Sequence, residues 1–443
     1  MKRPLGHWLL LTVAALLLVA GAGWLYGRYG APPPPVDRQP SNSGPRSHAV
    51  AIDRADAVLT GAEQLARDHP GEWLFQERLA NAHIARARLT GGFADYAAAQ
   101  AALDRGFAVA DKGTGPHLTQ LALAMAMHRL GLAEQMADAI DQYAVRPEIE
   151  DMTELRLVRG DIAFYRGDTA GAHARYAASG ADPAAPGIAL RRAELAARTG
   201  KADEALGLID GVERAARLPN AQLLADLALR RGAIELRRGD RAAAARHFDR
   251  AARLFPGWWL IEAHRAQIDA LEGREPKAIA AFGRIARTSA SPEAMDALAS
   301  LYRAGGEAAR AKLWADRAGA IWAERYRLFP EAAAGHAAEH ELAFGDPRKA
   351  LAYARADVAA RPYGLPRTTL AWALIANNDP QGALAALRPA FASGWVSAES
   401  HLAASQALLL LGRADEADRE RETALAIDPH AADASAALLW FGH

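Results

Sequence analysis

The sequence contains no cysteine. That absence excludes disulfides, thiolate zinc sites, a cysteine nucleophile, covalent haem attachment and a lipidated N-terminal cysteine. An excess of one charge is missing too, with 52 Lys and Arg against 52 Asp and Glu. No bulk field therefore draws the chain to nucleic acid or to an acidic surface. Its arginines, which greatly outnumber the lysines, alternate with Asp and Glu as on a solvated helical surface. No region alternates apolar and polar residues with period two, so strands are not expected. There is no glycine-rich phosphate loop ending in Lys-Ser/Thr and no G-x-S-x-G elbow.

What the chain does contain is a repeated unit, clearest from Leu227 to Pro256. Gly239-Asp240 separates two helical runs: glycine tolerates the left-handed φ that ends a helix, and Asp caps the next one. Small residues at Gly232 and Ala244 let the two helices cross closely, Phe248 and Ala251 share a face, and Pro256 stops the second run. Marking Gly232, Gly239, Ala244, Phe248, Ala251 and Pro256 gives spacings of 7, 5, 4, 3 and 5. Ser405, Gly412, Ala417, Arg421, Ala424 and Pro429 repeat them without a shift, as do Ala338, Gly345, Ala350, Ala354, Asp357 and Pro362. Gly160, Gly167, Ala172, Tyr176 and Ser179 match until Pro183, which arrives one residue early.

This pattern resembles the tetratricopeptide repeat, a helix–turn–helix unit of about 34 residues. The resemblance covers about four-fifths of the chain and implies an all-α, right-handed superhelical solenoid. The inter-helix turn residue is followed through Gly131, Gly167, Gly200, Gly239, Gly273, Gly306, Gly345, Asn378 and Gly412. Steps between them are 33 to 39 residues, and from Gly71 to Pro429 about ten repeats are counted. Asn378 is the other residue type that tolerates left-handed φ. The last 39-residue step extends a helix through Trp314, Trp322 and Tyr326 to Pro330. Glu72 to Asp111 reads as a repeat whose turn is lengthened by Thr90-Gly91-Gly92-Phe93. His48 to Asp68 and Ala431 to Trp440 read as capping helices over residues 48–443.

Before the repeats, Trp8 to Tyr26 runs 19 residues without a charge, close to the roughly 20 a bilayer-spanning helix needs. A cleaved signal peptide would use Ala20-Gly21-Ala22, but the apolar run continues past that site. Residues 1–29 are therefore expected to be a retained transmembrane anchor. Lys2 and Arg3 place the N-terminus inside and the repeats in the periplasm of a cell with an inner membrane. Residues 30–47 form a Pro-rich linker, with extended Pro32 to Pro35 followed by a flexible Ser/Gly stretch.

Chemistry is sparse. His336, Glu339 and His340 spell H-x-x-E-H, the signature of inverted zinc peptidases, with two histidines on one helix face and a glutamate as general base. The match sits inside a repeat frame and no third ligand is identifiable, so no metal, cofactor or catalytic residue is assigned. Trp258 and Trp259 are expected to pack between successive repeats. The functional surface implied by the resemblance is the concave groove lined by first helices. Its places lie six, three and two residues before each turn residue. They yield Asp161, Phe164, Tyr165, Gln267, Ser300, Arg303, Glu339, Leu342, Trp372, Ile375, Gln406 and Leu409. The best-formed repeat has Ala233, Leu236 and Arg237 there, and Lys and Asn are absent, which argues against a carboxylate-terminus clamp. A membrane-tethered, non-catalytic adaptor holding protein or peptide partners in a cell-envelope process is the function this sequence suggests. A zinc peptidase, and the same adaptor with its repeats in the cytoplasm, are the alternatives.

Overall fold

The computed structural model describes residues 37–143, 145 and 147–433, and every regular element among them is an α-helix. The chain divides after Arg38, and all 21 described helices belong to the second part. The anchor expected over Trp8–Tyr26, and all of the expected C-terminal cap after Asp433, lie outside the described residues.

Helix α1 (His48–Asp68) precedes ten hairpins. The first three pair α2 (Trp73–Thr90) with α3 (Phe93–Val109), α4 (His117–Ala126) with α5 (Leu130–Asp141), and α6 (Ile149–Tyr165) with α7 (Thr169–Ala177). Next come α8 (Pro186–Arg198) with α9 (Ala202–Ala215), α10 (Ala221–Arg237) with α11 (Arg241–Leu254), and α12 (Trp259–Leu271) with α13 (Glu275–Thr288). Then follow α14 (Pro292–Ala304) with α15 (Ala308–Leu328) and α16 (Pro330–Phe344) with α17 (Pro347–Ala360). The last are α18 (Gly364–Ala376) with α19 (Pro380–Ala392) and α20 (Ala398–Leu410) with α21 (Ala414–Ile427).

Sequence dictates the hairpin directly. Gly239 takes φ +81, Asp240 accepts from Ala243 N, and α11 starts at once. Five residues after the turn residue comes a small side chain: Ala172, Ala205, Ala244, Ala278 and Ala383 are all 0% exposed. The close crossing is real, since a Cβ on Gly232 would run into the Phe248 ring. In the second hairpin the turn residue is His128, at φ 55, and Gly131 lies inside α5. The glycine count went astray there because a histidine holds the left-handed place. The first turn is not lengthened either: Gly91 caps α2 and Gly92 caps α3.

The array winds on itself. A Cβ on Gly91 would meet the Trp259 indole at 2.9 Å, and Trp259 Nε1 donates to the Leu89 carbonyl at 3.1 Å, 170 residues away. Arg129 reaches Glu331 at the start of α16 at 3.9 Å. Gly167 abuts the Pro362 carbonyl, Thr169 Oγ1 donates to Ser393 O at 2.5 Å, and Val396 N donates to Arg198 O at 2.9 Å. Gly239 abuts Asp428 and Pro429. Each contact sets the turn region of one hairpin against the connection that follows four to six hairpins later in sequence order. Two superhelical turns are thus joined along a seam; Trp258 and Trp259 pack against the cores of successive repeats as expected, and Trp259 also packs between the turns. The linker is also held where it was expected to be flexible, since Ser41 N donates to Pro219 O at 2.8 Å; His48 N, at the start of α1, donates to Pro256 O at 3.0 Å.

The seam distinguishes this array from one in which each repeat meets only its neighbours. Trp259→Ala should cost up to about 3–5 kcal/mol, the range for deleting a buried aromatic. Hydrogen exchange should then accelerate at the α2–α3 turn as well as in α12. Protection lost only in α11–α14 would mean that the seam contributes nothing.

Candidate functional site

Counting back two residues from Gly167, Gly200 and Gly239 reaches Tyr165, Arg198 and Arg237. These end α6, α8 and α10, three successive first helices, so the repeat period gathers them on one interior face. Glu194 lies one helical turn before Arg198 and accepts its Nε at 2.6 Å. Arg230, two turns before Arg237, gives its Nε to Asp226 at 2.9 Å. The second superhelical turn adds the connections flanking α18 and α19. Tyr363 packs edge-on to Tyr165 with ring centroids 5.3 Å apart, and Trp395 lies 5.5 Å from Tyr363. The Arg198 guanidinium sits 5.3 Å over the Trp395 ring, and that of Arg361 5.9 Å from the Tyr363 ring. Arg361 Nε donates to buried Asp357 at 2.5 Å.

Electrostatics follow from burying guanidinium groups beside carboxylates: Glu194 at Arg198, Asp226 at Arg230 and Asp357 at Arg361. Burial pushes the Glu194 carboxyl up, yet the charges of Arg198, Arg237 and Arg230 outweigh it and hold the group at about 2. Burial and the neighbouring Arg198 bring Arg237 down to about 10. Burial raises the Tyr165 and Tyr363 phenols. His128, whose ring lies 5.0 Å from that of Tyr165, is held at about 3 by burial, with Arg361 and His336 adding to it. Tyr363 is 7% exposed, and among the described residues its hydroxyl has no hydrogen-bond partner. Trp395 is 3% exposed, and its buried Nε1 is likewise unpartnered.

A second polar cluster lines a small cleft between α14, α15 and α16. It contains the H-x-x-E-H residues. His336 Nδ1 and Glu339 share a 3.1 Å hydrogen bond, and the His336 ring stacks on Trp322 at 5.2 Å. His340 Nδ1 is 2.7 Å from Asp296, which also accepts Trp322 Nε1 at 2.8 Å. Burial lowers the His336 imidazole pKa, but the hydrogen bond and charge of Glu339, with Glu293 beyond, raise it more. Glu293 is pushed up by burial and down further by Arg325, His336 and Ser291, to about 2. Each imidazole is thus engaged by a different carboxylate. Among the described residues no three His, Asp or Glu are grouped to hold a metal ion.

The residues expected along the groove do not form one site. Tyr165 belongs to the interior cluster, and Glu339 joins the cleft. Asp161 is tied to Tyr176 at 2.7 Å and Arg191 at 2.8 Å, bracing α6, α7 and α8. Gln267 is buried against His264. Arg303 is exposed, donates to Ala343 O at 2.5 Å and lies 4.8 Å over the Phe344 ring. Trp372 is half-buried against the α18–α20 core, with its Nε1 buried and unpartnered. Gln406 is exposed on α20. Sequence reasoning passed over Glu194 and Arg198, although the same count back from Gly200 finds both. No sequence signal pointed to Arg361, Tyr363 or Trp395, because they join the face only through the seam.

No family model matches the sequence, and no curated protein matches it. Solved structures do resemble it. A tetratricopeptide repeat protein from Parabacteroides merdae ATCC 43184 is 17% identical over 57% of this chain and 96% of that one, at TM-score 0.34. A Rap protein complexed with competence and sporulation factor is 14% identical over 71% and 97%, at TM-score 0.44. The APC/C hetero-tetramer Cut9–Hcn1 is 15% identical over 88% and 93%, at TM-score 0.33. At these TM-scores the likenesses add nothing to the helical-repeat architecture read from the hairpins themselves.

Two outcomes are expected at the cleft. Purified protein should carry no stoichiometric zinc, and His336→Ala with His340→Ala should leave its metal content unchanged. One tightly bound zinc per chain, lost in the double variant, would restore the peptidase reading. The second concerns acid. Glu293 has a folded value of about 2, below its unfolded value near 4.5, so its contribution is present above pH about 4.5 and lost as pH falls towards 2. Glu293→Gln should therefore melt below the wild type at pH 7, with the gap closing through that window. A gap that stays constant with pH would assign the effect to packing.

Proposed function

We propose that this chain is a non-catalytic scaffold that holds protein partners on the interior face of its two-turn superhelix. One observation carries the reading: three successive first helices deliver Tyr165, Arg198 and Arg237 to one surface, and the second turn adds Tyr363 and Trp395 there. A surface built from five separate chain segments suits a partner that spans several repeats. The uncharged run from Trp8 to Tyr26, with Lys2 and Arg3 before it, supports tethering to an inner membrane with the repeats in the periplasm.

The full chain should sediment with membranes after expression in a Gram-negative host, and a reporter active only in the cytoplasm, fused after His443, should be silent. Cross-linking from native membranes through a photoreactive residue at Arg230 should trap a defined partner. A photoreactive residue at exposed Val58 on α1 should not. Strong cytoplasmic reporter activity would overturn the orientation, and equal trapping at both positions would overturn the interior face as the docking surface.

A further inference from the structure

The seam changes character along its length. At its earlier contacts each connection brings a large aromatic ring: Trp259 at Gly91, Phe329 among the first two hairpins, Tyr363 beside Gly167 and Trp395 next to the Val396 that meets Gly200. Phe329, Tyr363 and Trp395 are buried there. At the last contact no Phe, Tyr or Trp stands among the described residues. Gly239 abuts the Asp428 carboxylate and the Pro429 ring, and Arg241 Nη2 donates to Asp433 at 3.2 Å. Pro429 and Asp433 are exposed. An exposed ion pair holds weakly and is screened by salt, whereas a buried ring is not. Hairpin α20–α21 is therefore fastened unequally to the first superhelical turn. At its start Trp395 packs under Arg198, and Val396 N donates to Arg198 O at 2.9 Å. At its end only the polar contact follows, among the described residues. Its packing on the preceding hairpin is mostly alanine, with Ala371, Ala383 and Ala386 against Ala403, Ala404 and Ala407. Such small, smooth side chains let packed helices slide past one another by shear.

We propose that hairpin α20–α21 is a hinged flap, with its hinge at Trp395–Val396 and an electrostatic latch where Asp428 to Asp433 meet Gly239 and Arg241. Latched, it holds the end of the second superhelical turn against the turn that joins α10 to α11. Released, it slides on α18 and α19 about the hinge, and the Gly239 turn loses its cover. The place matters because Arg237 lies two residues before Gly239 and feels the charge of Glu399 at the start of α20. The flap thus borders the interior face, and opening it parts these two charges. The flap belongs to the fold and does not depend on the scaffold reading; where that reading holds, it gives a partner a way in.

Because the chain has no cysteine, paired spin labels can report the latch in the full chain, held in detergent. Labels on Ala242→Cys and Ala432→Cys, both exposed positions, span the latch. Labels on Ala170→Cys and Ala359→Cys, also exposed, span the contact that Tyr363 seals. Pulsed electron–electron distance measurements should give a short and a longer separation for the first pair. The share of the longer one should at least double between low salt and about 1 M salt. The second pair should keep one separation throughout. Asp433→Asn removes the exposed carboxylate of the latch, so it should raise the longer share at low salt and leave the melting temperature unchanged. A single separation across the latch that neither salt nor Asp433→Asn alters would overturn the flap. Parallel lengthening of both pairs would also overturn it, by showing that the seam parts as a whole. Neither result bears on the cross-link at Arg230, which tests the scaffold reading by itself.

Discussion

Close approach of backbone to backbone along the seam is the constraint on which the rest of this structure depends. A hairpin turn in left-handed conformation favours glycine, and here the missing side chain is used a second time. At Gly167 a Cβ would stand 2.9 Å from the Pro362 carbonyl oxygen, so one position closes a hairpin and admits the following superhelical turn. Without that approach Tyr363 would not reach Tyr165, nor Trp395 the guanidinium of Arg198. The interior face is therefore a product of winding, and each half of it is incomplete alone.

Polar order inside the superhelix follows the same logic. Arg361 and Asp357 come from the end of α17 and are buried where the second turn meets the first. A buried ion pair contributes little to stability against an apolar substitute, but a wrong register would leave one partner buried alone, at a cost of several kcal/mol. The nearly full burial of Glu213 between Arg231, at 2.8 Å, and Arg250, at 2.5 Å, acts in the same way between α9, α10 and α11. Alanine-rich faces tolerate sliding, so such pairs fix which helix meets which.

Much of the hairpin architecture was legible in the sequence because its causes are local. Gly239, Asp240, Ala244 and Phe248 each act within one hairpin, and counting recovered the period. It failed at His128, where a residue outside the usual turn set takes positive φ, because the count followed residue type rather than conformation. The winding was not legible, since nothing in the spacing says how far successive hairpins rotate. Glu194 and Arg198 lay within reach of the count, whereas Arg361, Tyr363 and Trp395 belong to connections whose neighbours lie about 200 residues away in the chain.

Winding also has a temporal side. A ribosome adds roughly 5–20 residues per second, so the 170 residues between Leu89 and Trp259 separate their appearance by roughly 10–30 s. During that interval the first hairpins exist with one edge uncovered, exposing the groove that Trp259 later fills. An array of strictly neighbouring contacts would have no such interval, because each repeat would be complete as soon as the next one emerged. Here the early half of the chain waits with that edge unmatched until the late half arrives.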